Sequence, residues 1–78
     1  MPTYTALTTL TGEATARALG EALERIEPEP YGIGVFEVED GSGIWEVGAY
    51  FTEPPDGIAL EIMAAAFGAK SFLVSELP

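Results

Sequence analysis

The chain is a short acidic polypeptide of 78 residues with the apolar content of a globular protein, so the sequence predicts one small domain. Its formal charge of −10 argues against nucleic acid and anionic membrane surfaces as partners, because phosphate groups are neutralised by clustered Lys and Arg. Cysteine and histidine are both absent, which excludes disulfides, thiolate zinc sites and histidine-based catalysis.

The beginning of the chain shows no targeting segment. Met1-Pro2-Thr3-Tyr4 lacks the basic start and the apolar stretch of a signal peptide, and no apolar run is long enough to cross a bilayer. We therefore expect a cytoplasmic protein. The negative charge is compatible with a basic protein partner, which it would attract over long range, but from composition alone a role in solubility is favoured.

The first two elements are predicted to be a strand and a helix. Residues Thr3 to Leu10 alternate loosely and contain four threonines, which favours a strand. A helix is predicted from about Gly12 to Glu27, with Thr11 as its N-cap and Pro28 after its end. Its inward stripe comprises Ala16, Leu19, Ala22, Leu23 and Ile26. Two i,i+4 ion pairs are predicted on its surface, Glu13–Arg17 and Glu21–Arg25.

A β-hairpin is predicted next, between Gly32 and Glu53. Two runs rich in β-branched and aromatic residues flank Asp40-Gly41-Ser42-Gly43, where Asp and Gly favour a tight turn. Alternation predicts one apolar wall formed by Phe36, Val38, Trp45, Val47, Ala49 and Phe51. The opposite, wettable face is predicted to carry Ile33, Val35, Glu37, Glu39, Ile44, Glu46 and Tyr50.

The second half of the chain repeats the helix-then-strand order. Asp56 is predicted to cap a helix from about Gly57 to Phe67, which Gly68 ends in a left-handed conformation. The predicted core stripe of this helix comprises Ala59, Ile62, Met63, Ala66 and Phe67. A last strand follows, from Phe72 to Leu77. The order βαββαβ predicts an α+β ferredoxin-like sandwich, with two helices on one face of a four-stranded antiparallel sheet and the first and third strands central.

Residue patterns that indicate an enzyme are scarce. Gly32-Ile33-Gly34 and Gly41-Ser42-Gly43 do not lead from a strand into a helix, as a phosphate-binding loop does. Ser42 and Ser71 have no histidine to activate them, and Lys70 follows a helix end, where a cation suits the helix dipole. The sequence therefore predicts no catalytic, cofactor-binding or metal-binding residue.

The hairpin carboxylates are the best candidates for a binding surface. Glu37 and Glu39 are predicted to share one strand face, with Glu46 opposite them and Tyr50 on the same side. Three acids there could hold a cation or a basic side chain; the alternative is a solvated face whose charges block edge pairing. The candidate protein-binding residues are Val35, Glu37, Glu39, Glu46 and Tyr50.

The hairpin also resembles a known family. Gly34-Val35-Phe36-Glu37 and Gly43-Ile44-Trp45-Glu46-Val47-Gly48-Ala49-Tyr50-Phe51 are similar to the N-terminal domain of ribosomal protein methyltransferases of the PrmA type. The similarity continues from Pro2-Thr3-Tyr4-Thr5-Ala6-Leu7 through Ala65-Ala66-Phe67-Gly68-Ala69-Lys70 to Ser75-Glu76-Leu77-Pro78. It spans essentially the whole chain and most resembles the alphaproteobacterial branch of the family.

The resemblance implies a ferredoxin-like domain that recognises a substrate protein, the large-subunit stalk-base protein L-eleven. In that family a flexible linker leads to a Rossmann-type domain, which binds S-adenosylmethionine and transfers the methyl group. Residues 1–78 stop before that linker, so no catalytic or cofactor residue is carried over. The resemblance thus implies a single substrate-recognition domain, whose partners are the ribosomal protein and the missing catalytic domain.

Two other classes of function are considered from the sequence. Domains of the same element order also act as regulatory modules that bind small molecules such as amino acids between subunits. An enzyme of the acylphosphatase sort would need an arginine near the first loop to hold phosphate, whereas Arg17 and Arg25 both lie within the predicted first helix.

Overall fold

The computed structural model describes residues 2–78 and contains four strands and two helices in the predicted order. These elements are β1 (Thr3–Thr11), α1 (Glu13–Leu23), β2 (Gly32–Glu37), β3 (Ile44–Phe51), α2 (Gly57–Phe67) and β4 (Leu73–Leu77). Every strand pairs antiparallel with its neighbours, in the sheet order β2-β3-β1-β4. The α+β ferredoxin-like arrangement, with the first and third strands in the centre, is therefore confirmed.

The core lies between the sheet and the two helices. Leu19 and Leu23 lie one turn apart on α1, and Val47, Ala49 and Phe51 alternate along β3; all five are fully buried. The remaining buried members of the core cluster are Ala6, Leu10, Ala16 and Leu60. A helical period on α1 and a period of two on β3 thus bring apolar side chains together in one core.

Helix α1 is shorter at both ends than the predicted range from Gly12 to Glu27. Thr11 is not its N-cap, because β1 continues through Thr11, which pairs with Ile44. Gly12 takes the cap position with a φ of 96° and no side-chain hydrogen bond. At the other end, the Arg25 N–H donates to the carbonyl of Ala22 at 3.1 Å, a tight turn that leaves the helix well before Pro28.

Because α1 ends at Leu23, only one of its two predicted ion pairs can form within the helix. Arg17 Nε lies 2.9 Å from a carboxylate oxygen of Glu13, so this predicted pair is confirmed. The predicted Glu21–Arg25 pair is wrong, since Glu13–Arg17 is the one ion pair found among residues 2–78. Arg25 lies beyond the last helical residue, where a spacing of four no longer places two side chains on one face.

Helix α2 has the predicted ends. Asp56 Oδ1 accepts from the N–H groups of Ile58 and Ala59 at 2.9 and 3.3 Å, and Gly68 closes the helix with a φ of 67°. The predicted core stripe is partly wrong, because Ile62 and Ala66 are exposed. The side that faces the core carries Leu60, Met63, Ala64 and Phe67, at the spacing i, i+3, i+4 and i+7.

The Asp56 cap gives a first testable prediction. Asp56→Ala should lower the free energy of unfolding by about 1 kcal/mol, because two N–H groups of the first turn lose their acceptor. Urea unfolding followed by circular dichroism measures the change. Asp56→Asn keeps an acceptor oxygen and should lose less than half as much; equal losses in the two variants would contradict a capping role.

The hairpin departs from the prediction in its first strand. Ile33 pairs with Ala49 and Val35 pairs with Val47, so these two side chains of β2 lie on the core side of the sheet. Phe36 was predicted to join the apolar wall, but it pairs with Glu46 on the opposite side and is 50% exposed. A register shift of one residue moves every side chain of a strand to the other face, and the prediction for β2 is wrong in this way.

The hairpin loop explains the shift. The Val38 N–H donates to the Ile44 carbonyl at 2.9 Å, and the Ser42 N–H donates to the Glu39 carbonyl at 2.9 Å. Gly41, the third residue of the resulting turn, has a φ of 81°, a conformation that glycine adopts without steric cost. Residues 39–43 therefore form a five-residue loop, one longer than the four residues read as the turn, which reverses the alternation of β2 relative to β3.

Candidate protein-binding surface

The sheet face that points away from both helices is the candidate site, and we call it the open face. Ala6 and Val47 point into the core, so the residues directly before and after them on each strand point away from it. The open face comprises Thr3, Thr5, Leu7, Thr9 and Thr11 of β1, Gly32, Gly34 and Phe36 of β2, Ile44, Glu46, Gly48 and Tyr50 of β3, and Leu73, Ser75 and Leu77 of β4.

Large apolar side chains are exposed on the open face. Phe36, Ile44, Leu73 and Leu77 are 50, 46, 70 and 48% exposed, and Val38, which continues the alternation of β2, is 53% exposed. The solvated face of an antiparallel sheet is ordinarily polar. Several exposed apolar side chains on one face of a small domain are typical of a surface that contacts another molecule.

Tyr50 covers the middle of the open face, where two strands carry glycine. A Cβ atom at Gly32 would lie 3.7 Å from the Tyr50 ring, and one at Gly34 would lie 3.8 Å from its hydroxyl. A Cβ at Gly48 would lie only 2.6 Å from Leu7 Cδ2. The glycines thus leave room for the Tyr50 ring to lie close against the strands, with Tyr31 at a ring-centroid distance of 6.4 Å. The pair forms an aromatic surface whose hydroxyls remain available for hydrogen bonds.

A hollow of about 250 Å³ lies on the open face between β1 and the start of β4. It is lined by Leu7, Thr8, Thr9, Glu46, Lys70, Ser71 and Leu73. Leu7 and Leu73 pair across the two strands and give the hollow apolar walls, while Glu46 places a carboxylate at its edge. Such a hollow can accept an apolar side chain of a partner protein, while Glu46 and Lys70 place one charge of each sign along its lining.

The structure brings two of the predicted site residues together on the open face. Tyr50 and Glu46 are both half-buried residues of β3 and point to the same side, as predicted. Glu46 pairs with Thr9 on one flank and Phe36 on the other, and Lys70 lines the same hollow.

The other three predicted site residues lie elsewhere. Val35 packs towards α1 on the helix side, and Glu37 lies on the same side opposite Trp45. The Glu37 carboxylate accepts from the Gly43 N–H at 3.0 Å, so it holds the hairpin loop. Glu39 is exposed in that loop. The prediction that Glu37, Glu39 and Glu46 share a face is wrong, and within residues 2–78 no group of three acidic side chains is placed to hold a metal ion.

Sequence reasoning missed Phe36, Leu7 and Leu73 as surface residues. For Phe36, the glycines of β2 carried the information that could have found it. Gly32 and Gly34 share a strand face with Phe36, so a core built from that face would have been empty at two successive positions. Placing Ile33 and Val35 in the core instead fills both positions and moves Phe36 to the surface.

Comparison of the chain with protein-family models and with curated proteins finds no match. No helix among residues 2–78 combines the length and the apolar character needed to cross a membrane.

Proposed function

We propose that this chain is a protein-recognition domain that binds a basic partner protein through the open face. The observation that carries the proposal is the set of exposed apolar side chains on a sheet face that neither helix covers. Leu7 and Leu73 provide a hollow, Tyr50 provides a large contact surface, and both kinds of feature are frequent at the centres of protein interfaces.

The net charge supports a basic partner. The chain carries thirteen acidic residues against three basic ones, and Glu46 is the one charged residue among those assigned to the open face. Charge of this kind speeds the encounter with a partner of opposite sign, while the apolar contacts supply most of the binding energy. The open face and the charge therefore favour the same class of partner for different physical reasons.

The resemblance at the hairpin supplies the specific partner. We infer that the domain recognises the large-subunit ribosomal protein L-eleven in the cytoplasm, as the substrate-recognition part of an S-adenosylmethionine-dependent methyltransferase. Methyl transfer belongs to a separate Rossmann-type domain that follows this domain in the complete enzyme. Ribosomal proteins are usually basic, which agrees with the charge of this chain.

Isothermal calorimetry of the purified chain with protein L-eleven tests the proposal. We expect binding at 50 mM salt that weakens as salt rises, because part of the attraction is between charges. A negative heat-capacity change should accompany binding, because the open face buries apolar area. Absence of binding at low salt would contradict the proposed function.

A pair of variants locates the interface. Phe36→Ser should weaken binding about tenfold, since Phe36 is half exposed on the open face and its contact would be lost. Ile62→Ser removes a comparably exposed apolar side chain from α2 on the opposite side of the molecule and should leave affinity within about twofold. Equal effects of the two variants on affinity would contradict the assignment of the open face as the interface.

A further inference from the structure

Strand β2 is an edge strand whose outer backbone is open. It pairs with β3 on one side only. The Val38 N–H donates to the Ile44 carbonyl, and hydrogen-bonded pairs alternate along an antiparallel ladder. Phe36 and Gly34 therefore use their peptide groups towards β3, whereas the N–H and C=O groups of Ile33, Val35 and Glu37 turn outward. A row of outward peptide groups is a template for another strand.

The sequence of β2 lacks the usual protection against such pairing. Natural edge strands are commonly blocked by proline or lysine, or by being very short. Gly32–Glu37 contains neither residue type, and its only charge is Glu37 at the far end. Its six residues give three outward positions, enough for a short added strand to bond along the whole edge.

An acidic groove follows the same edge. One part has a volume of about 310 Å³ and is lined by Arg17, Gly20, Glu21, Glu24, Ile33 and Val35. A second part of about 430 Å³ shares Glu24 and Ile33 with the first and continues past Glu29 and Tyr31. The groove therefore has an apolar floor, provided by β2, and a wall from α1 that carries carboxylates.

The charges along the groove favour basic side chains. Glu21, Glu24 and Glu29 line it as exposed carboxylates. Arg17 is bonded to Glu13 at 2.9 Å and lies 5.7 Å from the Trp45 ring, so its charge is already engaged. Arg25 also lines the second part of the groove, but one arginine does not balance three carboxylates, so the groove keeps a net negative charge.

We propose that the edge of β2 takes an extended basic segment of a partner protein as a fifth strand. Its backbone bonds to the peptide groups of Ile33, Val35 and Glu37. Every second side chain then points to the helix side, where Lys or Arg stems lie against the apolar floor and their charged ends reach Glu21 and Glu24. This surface meets the open face only at Tyr31 and Gly32, and the inference goes beyond the proposed function.

The probe is a capped ten-residue peptide of alternating lysine and valine, labelled for fluorescence anisotropy at 50 mM salt. We expect it to bind, and a glutamate–valine peptide of the same length not to bind. Val35→Pro removes an outward N–H while leaving the bonds to β3 in place, and should weaken binding at least about tenfold. Val35→Ala loses the same side-chain packing but keeps the N–H, and should change affinity less than about threefold.

Charge variants test the groove separately. Glu24→Lys should weaken binding of the lysine–valine peptide about tenfold, because it reverses a charge that lines both parts of the groove. Glu53→Lys makes the same change in net charge on the exposed segment after β3 and should weaken binding no more than about twofold. Equal losses in both variants would indicate attraction to net charge alone and would overturn the proposal.

Hydrogen exchange of the unmodified protein gives a readout that needs no variant. Adding the lysine–valine peptide should slow exchange at the amides of Ile33, Val35 and Glu37 and leave β4 unchanged. Slowing at β4, or no slowing at β2, overturns the proposal, as does binding that Val35→Pro leaves intact. Leu73→Ser alters the open face at a distance and should leave peptide binding unchanged, so the two proposed surfaces can fail independently.

Discussion

Replacing Phe51 with alanine should lower the free energy of unfolding by about 3–5 kcal/mol. Phe51 is the largest of the fully buried side chains. At about 0.05–0.15 kcal/mol per residue, a domain of 78 residues has a total stability of only about 4–12 kcal/mol. The variant should therefore be largely unfolded at 37 °C or melt far below the unmodified protein, as circular dichroism during heating and urea titration will show.

Phe36→Ala is the matched control, because it makes the same deletion on the other side of the sheet. Phe36 is half exposed on the open face, so its loss should cost no more than about 1 kcal/mol. The alternation read from the sequence places both phenylalanines in the core and predicts similar damage from the two substitutions. A cost for Phe36→Ala that approaches the cost for Phe51→Ala would contradict the register of β2.

Phe51 and Phe36 differ in how well local sequence patterns predict which face of the sheet they occupy. The alternation of β3 is local to one strand, and it correctly assigns Val47, Ala49 and Phe51 to the core. Asp56 and Gly68 are also local features, and both act where capping chemistry places them. Right-handed crossover connections between the six elements then leave one sheet order with β1 and β3 in the centre, which is why the fold could be predicted.

The face of β2 could not be assigned in the same way. It depends on the number of residues between the paired strands, and Asp40-Gly41-Ser42-Gly43 reads naturally as a complete turn. In the structure Glu39 joins the loop, and Glu37 uses its carboxylate to hold the loop through Gly43. Of the predicted site residues, Glu46 and Tyr50 remain on the open face because they belong to β3, while Val35 and Glu37 turn to the helices with the rest of β2.

The buried face of helix α2 is a second feature that the sequence pattern does not assign correctly. It carries apolar residues around its whole circumference, so periodicity does not single out one face. The stripe through Leu60 and Ala64 packs inward, whereas Ile58 and Ile62 remain 75 and 64% exposed. Where every face is apolar, only the packing of neighbouring elements decides which one is buried.

Gly20→Leu should lower the free energy of unfolding by about 2 kcal/mol, because α1 and β2 touch at this position. A Cβ atom at Gly20 would already lie 2.9 Å from Val35 Cγ2 and 3.5 Å from Ile33 Cγ2. Val and Ile are branched at Cβ and rotate little, so the helix must move away from the strand, at a cost of about 3 kcal/mol. Removing a glycine from a helix returns about 1 kcal/mol.

A double-mutant cycle with Val35→Ala tests whether that contact is the cause. In the Val35→Ala background the space for a side chain at position 20 is larger, so Gly20→Leu should cost at least about 1 kcal/mol less than it does alone. Ala18→Leu adds a side chain to the exposed side of α1 and should change stability by less than about 0.5 kcal/mol. Additive costs for Gly20→Leu and Val35→Ala would contradict a contact between these two positions. Gly20 and Val35 also line the acidic groove, so additive costs would contradict the geometry of the groove as well.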